Sequence, residues 1–587
     1  MRNANMRKMD RLLAFLTLAC LPLAGCQSGN ETSSEPAPLS SVESEVSSVE
    51  SESSEPASTA MPSISSPTAD GFIIGINRDG GLRIDGYQGS ATEIIIPGYV
   101  EGREVVSIGT YAFVDHRNLT TVIIPQTIKT IRESAFQGCT SLTKVVFLGP
   151  SLASLEHHAF YGCSSLETIK LPYGIEQIER YTFCDCSSLT SFTIPVSVKT
   201  LGASVFEGCS SLEEIYIPEN VGYIPSSCFA NCSSLKHVDL NKITEIGGNA
   251  FEHCDSLSEI DIPEGVWYIG GHAFSCCGLL TSIDIPDSVT NIGNEAFGDC
   301  VSLESVDYSQ SMERVDNYLF RGCTALKSFA IPYGVITIES GAFYGCASLA
   351  LVSFPRTLEN IQSDAFRGCT ALSSVNIPSN IKYIYWYAFS GCTSLETVEI
   401  PNAAKPIIYE HAFDGCTSLA TLSIPELRDM DDWAFANCAS LTSVTIPSNC
   451  KSVPNHGFYG CTSLASVTLH AGISYIGASA FEGCTSLTCL DINACPGYIN
   501  QHLFDGCTSL TWVTIPDTVH YVEDGAFYGC TSLTSLFYKG TIEKWNTITF
   551  EGENEELESA TLYFYSETAP TKAGNYWRYV EGVPTAW

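Results

Sequence analysis

The sequence predicts a β-rich solenoid of about nineteen coils of 23 residues, with short strands on one face. Nineteen Phe residues recur between positions 113 and 527, and of the 18 intervals fourteen are 23 residues, two are 22 and two are 24. The units share the consensus V-x-x-I-G-x-x-A-F-x-G-C-T-S-L-T-x-V-x-I-P. Neither half of such a unit can bury its apolar residues alone, so successive coils must stack.

Residues 1–25 have the features of a bacterial export signal. Basic residues between positions 7 and 11 precede an apolar stretch from Leu12 to Leu23, which is too short to span a bilayer. The stretch ends in Leu23-Ala24-Gly25-Cys26, which resembles the lipobox of bacterial lipoproteins. That resemblance implies a diacylglyceryl group on Cys26, and two acyl chains suffice for stable anchoring. A plain secretory signal with an incidental cysteine is the alternative.

Residues 26–70 comprise the lipidated Cys26 and a predicted tether. The stretch from Gln27 to Asp70 contains 15 Ser, seven Glu and no Lys or Arg. Such a composition cannot bury enough apolar surface to offset the entropy of ordering, so we expect a disordered tether that holds the folded part clear of the membrane. An acidic interaction tail is the alternative.

Two caps flank the repeats at 105–538. Residues 71–104 form the predicted N-terminal cap, with a strand pair around Asp79-Gly80-Gly81. Residues 539–587 lose the repeat register and are rich in aromatic residues, which suits a C-terminal cap. Terminal repeats expose a core face, so both ends need such lids.

Each coil has an inward and an outward set of residues. In Leu441-Thr-Ser-Val444-Thr-Ile446, the apolar residues at i+3 and i+5 share one face of a short strand. The Pro that follows cannot donate to a ladder and ends the strand. Stacking then predicts one interior column of Phe residues and another of Leu residues.

These units resemble BspA-like leucine-rich repeats, a family of bacterial surface proteins. The resemblance covers the chain from about Phe72 to Trp587 and rests on nineteen copies of the unit. It implies a leucine-rich-repeat solenoid that is curved, with strands lining one face. For some members it implies adhesion to host or bacterial surface molecules, but it supplies no ligand.

The charge balance limits the choice of partner. The chain has 65 acidic against 29 basic residues, a formal charge of -36. Such a surface repels phosphate backbones and anionic lipid heads. We therefore expect an extracellular protein or glycan as partner, no nucleic acid, and contact with the membrane through the lipid anchor only.

Eighteen of the 26 cysteines follow the repeat Phe by three residues. Stacking would place them about 4.8 Å apart with parallel side chains, whereas a disulfide needs Cβ atoms about 3.8 Å apart and turned towards each other. A ladder of buried reduced thiols fits best, with serial disulfides or a metal as alternatives. Cys489 and Cys495 are the favoured disulfide pair among the cysteines outside this ladder, which are Cys184, Cys228, Cys276, Cys450, Cys489 and Cys495.

Catalytic patterns are missing from the sequence. The eleven His residues form no H-E-x-x-H motif, and the chain has neither a G-x-S-x-G elbow nor a glycine-rich phosphate loop. The sequence therefore predicts a protein that is not an enzyme and needs no cofactor, apart from a calcium ion considered next.

The exposed position between the two inward strand residues is the first candidate binding surface. Four consecutive coils place an aspartate there, which makes an acidic strip of Asp239, Asp261, Asp284 and Asp307. The same face carries Glu214, Tyr216 and Glu259. Like charges opposite each other across strands are destabilising, so a calcium ion or a basic partner is one interpretation and a solvated acidic face is another.

Aromatic residues form a second candidate surface on the opposite half of a coil. They are Tyr383, Tyr385, Trp386 and Tyr387, with Tyr409 one coil further on. Exposed aromatic side chains at this density suit contact with a sugar or a protein. Packing of these rings on one another is the alternative.

Together these features predict a lipid-anchored recognition or adhesion protein at the cell surface, with the strand face as its main binding surface. One rival is a polysaccharide-binding component of nutrient uptake, for which the aromatic residues would be the decisive feature. The other is a structural surface protein without a defined ligand.

Overall fold

A computed structural model describes residues 70–492 and 497–587. Within them the chain forms the predicted leucine-rich-repeat solenoid: strands one coil apart pair in parallel, so that Ser282 faces Ser305 and Tyr268 faces Asn291. The export signal, Cys26, the tether up to residue 69, and Cys495 lie outside the described residues. The disulfide suggested for Cys489 and Cys495 therefore stays a prediction.

The coils contribute strands to two rows. The first row, which follows the Thr-Ser-Leu segment, comprises Glu93–Ile95, Thr121–Ile124, Lys144–Phe147, Thr168–Ile169, Glu214–Tyr216, His237–Asp239, Ser282–Asp284, Ser305–Asp307, Ser328–Ala330, Leu351–Ser353, Ser374–Asn376, Thr397–Glu399, Thr421–Ser423, Ser443–Thr445, Ser466–Thr468, Cys489–Asp491, Trp512–Ile515, Ser535–Tyr538 and Thr561–Tyr565. The second row precedes the repeat Phe and comprises Arg103–Ile108, Thr130–Ile131, Ser154–Leu155, Gln177–Ile178, Thr200–Leu201, Tyr223–Ile224, Glu245–Ile246, Tyr268–Ile269, Asn291–Ile292, Arg314–Val315, Thr337–Ile338, Asn360–Ile361, Tyr383–Ile384, Ile407–Ile408, Asp429–Met430, Ser452–Val453, Tyr475–Ile476, Tyr498–Ile499, Tyr521–Val522 and Thr549–Phe550.

Side-chain alternation explains both rows. In the first row the central residue is buried between two outward neighbours, as at Ile283, which is 3% exposed between Ser282 and Asp284. In the two-residue strands of the second row, except Thr549–Phe550, the first residue faces outward and the second is buried, as at Asn291 and Ile292. The predicted strand face is the first row, and the structure adds the second row to it.

The repeat Phe residues form the predicted interior column. All nineteen are fully buried. Consecutive rings lie 4.9 to 6.1 Å apart between centroids, and all pairs except the last, Phe504 and Phe527, are close to parallel. The period in the sequence is thus the spacing of one stack of rings.

Every coil turns at two residues whose backbone is left-handed, with positive φ. The first lies two positions before the repeat Phe, and the second lies two positions after it. The second of these is Gly in twelve coils, which explains the Gly of the consensus, since Gly adopts positive φ without steric cost. In the other seven coils it is Asp, Asn, His or Cys, as at Asp299 with φ 56°. The first left-handed position varies more, from Gly341 to Trp433.

The ends are closed by elements outside the repeat. Strands Phe72–Ile76 and Leu82–Tyr87 form the predicted antiparallel pair, with Tyr99–Val100 paired to Arg103–Ile108. At the other end lie two short helices and two further strands, which are Ile542–Trp545, Glu555–Ser559, Tyr576–Val580 and Val583–Ala586.

A buried tryptophan joins the C-terminal elements to the last coils. Trp577 is fully buried, and its Nε1 donates to the Tyr538 carbonyl oxygen at 2.9 Å. Its ring also lies 5.4 Å from that of Phe537. This indole therefore covers the apolar residues that the last strands of the first row would otherwise expose.

Candidate functional site

The acidic strip lies along the first row, where the sequence placed it. Asp239, Asp261 and Asp284 are exposed, and Asp307 is half-buried. Parallel pairing sets Asp284 beside Asp307 in the neighbouring strand. Asp261 and Glu259 lie between strands His237–Asp239 and Ser282–Asp284, in a stretch that has no assigned strand.

The strip continues at Tyr216, which pairs with Asp239. The Tyr216 hydroxyl donates to the Glu214 carboxylate at 3.3 Å, and that carboxylate raises the pKa of Tyr216. The carboxylate of Asp239 accepts the backbone N–H of Asn241 at 3.0 Å. The structure therefore brings Glu214, Tyr216 and Asp239 together at one end of the strip.

Metal binding by the strip stays a prediction. Among residues 70–492 and 497–587, no group of three or more His, Cys, Asp or Glu side chains is arranged to hold a metal ion. The strip is a line of carboxylates on adjacent strands, and calcium commonly takes six to eight oxygen ligands. Water would have to supply most of them at this surface.

The aromatic surface is built by the second row. The strand Tyr383–Ile384 pairs in register with Ile407–Ile408, which sets Tyr385 beside Tyr409 at the strand ends. The rings of Tyr385 and Tyr409 stack at 4.8 Å, and Trp386 lies 5.1 Å from Tyr409. Tyr383 completes this group at 5.6 Å from Tyr385. We call Tyr383, Tyr385, Trp386 and Tyr409 the aromatic cluster.

Tyr387 belongs to a different surface. It occupies the left-handed position two residues before the repeat Phe, and its ring stacks on His411 at 4.6 Å. The stack continues to Trp433 at 5.4 Å and to His456 at 3.8 Å. The Arg367 guanidinium lies 4.9 Å from the centre of the Tyr387 ring, within the range of a cation–π contact.

This stack is part of a row of outward rings that sequence reasoning missed. Ten of the nineteen coils carry Tyr, His or Trp at the left-handed position before the repeat Phe, which are Tyr111, His158, Tyr181, His272, Tyr318, Tyr387, His411, Trp433, His456 and His502. A bulky residue is an uncommon occupant of this backbone conformation. Alignment of the coils on their Phe would have revealed the row. We call it the ring row.

The repeat cysteines are free and buried, as the sequence predicted, and the structure shows that each is also hydrogen-bonded. In all eighteen coils that have this cysteine, its Sγ donates to the carbonyl oxygen of the repeat Phe one coil earlier, at 3.0 to 3.5 Å. Burial raises the pKa of Cys300 to about 12. Such thiols are poor nucleophiles at neutral pH and serve the stacking of coils.

The family follows from the repeats. The model of the BspA-type leucine-rich repeat region matches residues 106–236, 234–350, 336–456 and 428–556, which is most of the chain. The chain belongs to the BspA-type leucine-rich repeat family. No curated protein matches it.

Several solved structures of leucine-rich repeat proteins are similar to this chain. A leucine-rich repeat protein from Bacteroides ovatus is 25% identical with a TM-score of 0.36, over 83% of this chain and 99% of that one. The T. pallidum leucine-rich repeat protein is 31% identical with a TM-score of 0.31, over 33% and 91%. A leucine-rich cell surface protein from Faecalibacterium prausnitzii is 23% identical with a TM-score of 0.29, over 85% and 100%.

The described part of this BspA-type chain contains no helix that could cross a membrane. Its helices there are the short Ile542–Trp545 and Glu555–Ser559, and neither has the length or the apolar character needed to cross a bilayer.

Proposed function

We propose that this BspA-type chain is a lipid-anchored recognition or adhesion protein, exported to the cell surface, that binds an extracellular protein or glycan. The lipobox-like segment at Leu23-Ala24-Gly25-Cys26 supports the anchor. The aromatic cluster is the structural feature that best supports ligand recognition. The acidic surface charge agrees with a partner other than nucleic acid.

The aromatic cluster has the composition of a binding surface. Trp386 is 44% exposed although the rings of Tyr385 and Tyr409 lie against it. Tyr and Trp supply a large contact area at a low cost in conformational entropy, and their polar atoms suit hydroxyl-rich or peptide ligands. Since rings from two coils stack on one another, these side chains are already packed before a ligand arrives, and such packing reduces the entropy lost on binding.

The test is an array of glycans and extracellular proteins probed with the full chain. We expect a defined group of related ligands to bind, and the double variant Trp386→Ala/Tyr409→Ala to weaken that binding at least tenfold. Trp267→Ala is the matched control, because Trp267 is 46% exposed and contacts Tyr268 outside the cluster. Equal loss in the control, or no loss in the double variant, contradicts the proposal.

The same array separates the rivals. Binding confined to long polysaccharides, with oligosaccharides and proteins inert, favours a component of nutrient uptake. No ligand above background in the parent chain favours a structural surface protein.

The acidic strip supports a second candidate, a basic partner on the first row. Asp284 and Asp307 lie side by side in paired strands, where like charges repel. A cationic side chain between them would relieve that repulsion. Binding of a basic protein that falls steeply with salt, and that Asp261→Asn/Asp284→Asn weakens, would support this candidate.

A further inference from the structure

The first three strands of the first row carry apolar residues on their outward face. Parallel pairing sets Ile95 beside Ile123, and Ile123 beside Val146. Ile95 is 64% exposed, and the other two residues are half-buried. The equivalent residue of the next coil is Lys170, which is exposed. The apolar outward positions are therefore confined to three neighbouring strands at the N-terminal end of the row.

A second line of apolar residues lies beside the first. Because side chains alternate along a strand, the next outward positions are Pro97, Pro125 and Leu148. Leu148 is 60% exposed, and the two prolines are half-buried. We call the six residues of both lines the apolar block. A contiguous exposed apolar surface of this kind is typical of a site of contact with another macromolecule.

The outward residues on the other side of the apolar block have a complementary order of charge. Glu93, Thr121 and Lys144 pair in register across the same three strands. Glu93 and Lys144 are exposed, and neither forms an ion pair among residues 70–492 and 497–587. Two strand spacings, or about 10 Å, separate them, so they are too far apart to pair with each other. This line is negative at one end, neutral in the middle and positive at the other end.

Such an order is self-complementary under one twofold axis. An axis that runs parallel to the strands, above the middle strand Thr121–Ile124, exchanges the two outer strands of two sheets packed face to face about 10 Å apart. Glu93 of each copy then faces Lys144 of the other copy, and Ile95 faces Val146. Thr121 meets its own equivalent at the axis. The contact is isologous, which is the commonest arrangement in homodimers.

A twofold axis across the strands gives a worse contact. It would set Glu93 of one copy over Pro97 of the other, and Lys144 over Leu148. Both charges would then be covered without an opposite charge, which costs free energy. The order of charges therefore favours the axis parallel to the strands.

We propose that the apolar block binds a second copy of this chain, face to face and about the axis parallel to the strands. The block extends roughly 14 Å across three strands and roughly 17 Å along five residues. This area is small for a stable dimer, so we expect a Kd on the order of 10 to 100 µM. The interface shares no residue with the aromatic cluster or the acidic strip, and it does not rest on the proposed function.

Exchange of the two charges tests the proposal, with sedimentation equilibrium of the full chain in density-matched detergent as the measurement. The parent chain should form dimers at concentrations up to about 500 µM, which exceeds the expected Kd. Glu93→Lys and Lys144→Glu should each raise the Kd by about tenfold or more, because two repelling pairs replace two attracting ones. The double variant Glu93→Lys/Lys144→Glu should dimerise like the parent.

An equimolar mixture of the two single variants should also dimerise like the parent, since each copy then presents the charges that the other needs. Recovery in the mixture excludes misfolding as the cause of the loss in each variant alone. Glu399→Lys is the matched control, because Glu399 is exposed on the first row outside the block, and this variant should keep the parent Kd.

Three outcomes of sedimentation would overturn the proposal. The first is a parent chain that stays monomeric at about 500 µM, which would leave the apolar block to a different protein. The second is self-association that survives Glu93→Lys. The third is a mixture of the single variants that does not associate.

Crosslinking at the axis gives a second measurement. Because Thr121 meets its equivalent there, a short bismaleimide should join two copies of Thr121→Cys. Ser374→Cys is the matched control, since Ser374 is exposed and begins its first-row strand as Thr121 does. The control should crosslink no more than the parent, in which the half-exposed Cys276 and Cys489 set the background. Equal crosslinking of the two variants would overturn the proposal.

Discussion

The cysteine three positions after eighteen of the nineteen repeat Phe residues connects its coil to the coil before it. The Cys300 Sγ donates to the Phe274 carbonyl oxygen at 3.1 Å, and the residue is fully buried. The same carbonyl oxygen accepts the Cys277 N–H at 3.2 Å, so both of its lone pairs are used. A small apolar group with a weak donor therefore satisfies a buried acceptor while filling space in the core.

Thiol counting tests this arrangement. We expect most of the eighteen repeat cysteines to react with a thiol reagent after denaturation without reductant. In the native protein at pH 7 they should react slowly, because burial raises the pKa of thiols such as Cys139 to about 12. The half-exposed Cys276 serves as the internal control for native labelling. A denatured count of only a few thiols would rule out the ladder.

Asp316 gives a pH dependence of stability. Its Oδ1 accepts from Arg314 Nε at 2.7 Å, its Oδ2 is buried without a hydrogen-bond partner, and burial raises its pKa from 3.8 to about 6. The folded protein therefore binds the proton of the Asp316 carboxyl group more tightly than the unfolded chain does. The protonated carboxyl group contributes fully to stability below about pH 4, and this contribution is lost as the pH rises through 6.

Between pH 4 and 7 the free energy of unfolding of the parent should therefore fall by about 2 kcal/mol more than that of Asp316→Asn. Denaturant unfolding of parent and variant at each pH measures the difference. Identical slopes in the two proteins would show that Asp316 is hydrated in the folded state. Asp287→Asn, at an exposed carboxylate, controls for the change in net charge.

At the level of the coil, the features that depend on residues repeated in nearly every unit were predictable from the sequence, and the features with only weak local sequence signals were not. The Phe column, the thiol ladder and the strands of the first row follow from residues that recur in nearly every coil. Apart from Arg103–Ile108, each strand of the second row has only two residues, as at Thr337–Ile338, which is too short for alternation to be recognised in the sequence. The left-handed position of Tyr387 or Trp433 carries no Gly or Asn, so nothing in its residue type indicates a turn.

Calcium binding is tested on the acidic strip. An ion that binds only the folded form raises the melting temperature, and the open geometry predicts a Kd on the order of 0.1 to 1 mM. Asp261→Asn/Asp284→Asn should abolish the calcium-dependent shift and leave the metal-free melting temperature equal or higher, since repulsion is relieved. Glu399→Gln, on the first row away from the strip, is the control. If millimolar calcium does not change the melting temperature of the parent protein, the strip is not a calcium site. A site for a basic partner and a solvated acidic face then remain as its interpretations.

At the scale of the whole molecule, the stacking of coils places each outward position of the repeat once in every coil. The equivalent outward residue of the next coil lies about one strand spacing further on, so outward residues form rows. Which rows bind a ligand was not predictable from periodicity, because exposed positions vary freely without loss of the core. The sequence identified Trp386 and Tyr385 as outward, but only the pairing of coils showed that Tyr409 stacks with them.

Anchoring is tested by Cys26→Ser. The variant should appear in the medium or accumulate as an unprocessed precursor, because the sulfur that carries the diacylglyceryl group is gone. Detergent phase separation of membranes from cells that express each form measures the difference. Cys276→Ser is the control, since that cysteine lies within the repeats. Partition of Cys26→Ser into the detergent phase like the parent would contradict the lipobox interpretation.

Recognition at the cell surface is tested most directly on intact bacterial cells that express the chain, labelled with fluorescent glycan polymers and extracellular proteins and counted by flow cytometry. We predict that at least one ligand labels cells with the parent chain. We predict that Trp386→Ala/Tyr409→Ala cells lose that label while an antibody still detects the protein, and that Trp267→Ala cells keep it. Parent cells labelled no more than cells without the chain, or double-variant cells labelled like the parent, would contradict recognition through the aromatic cluster.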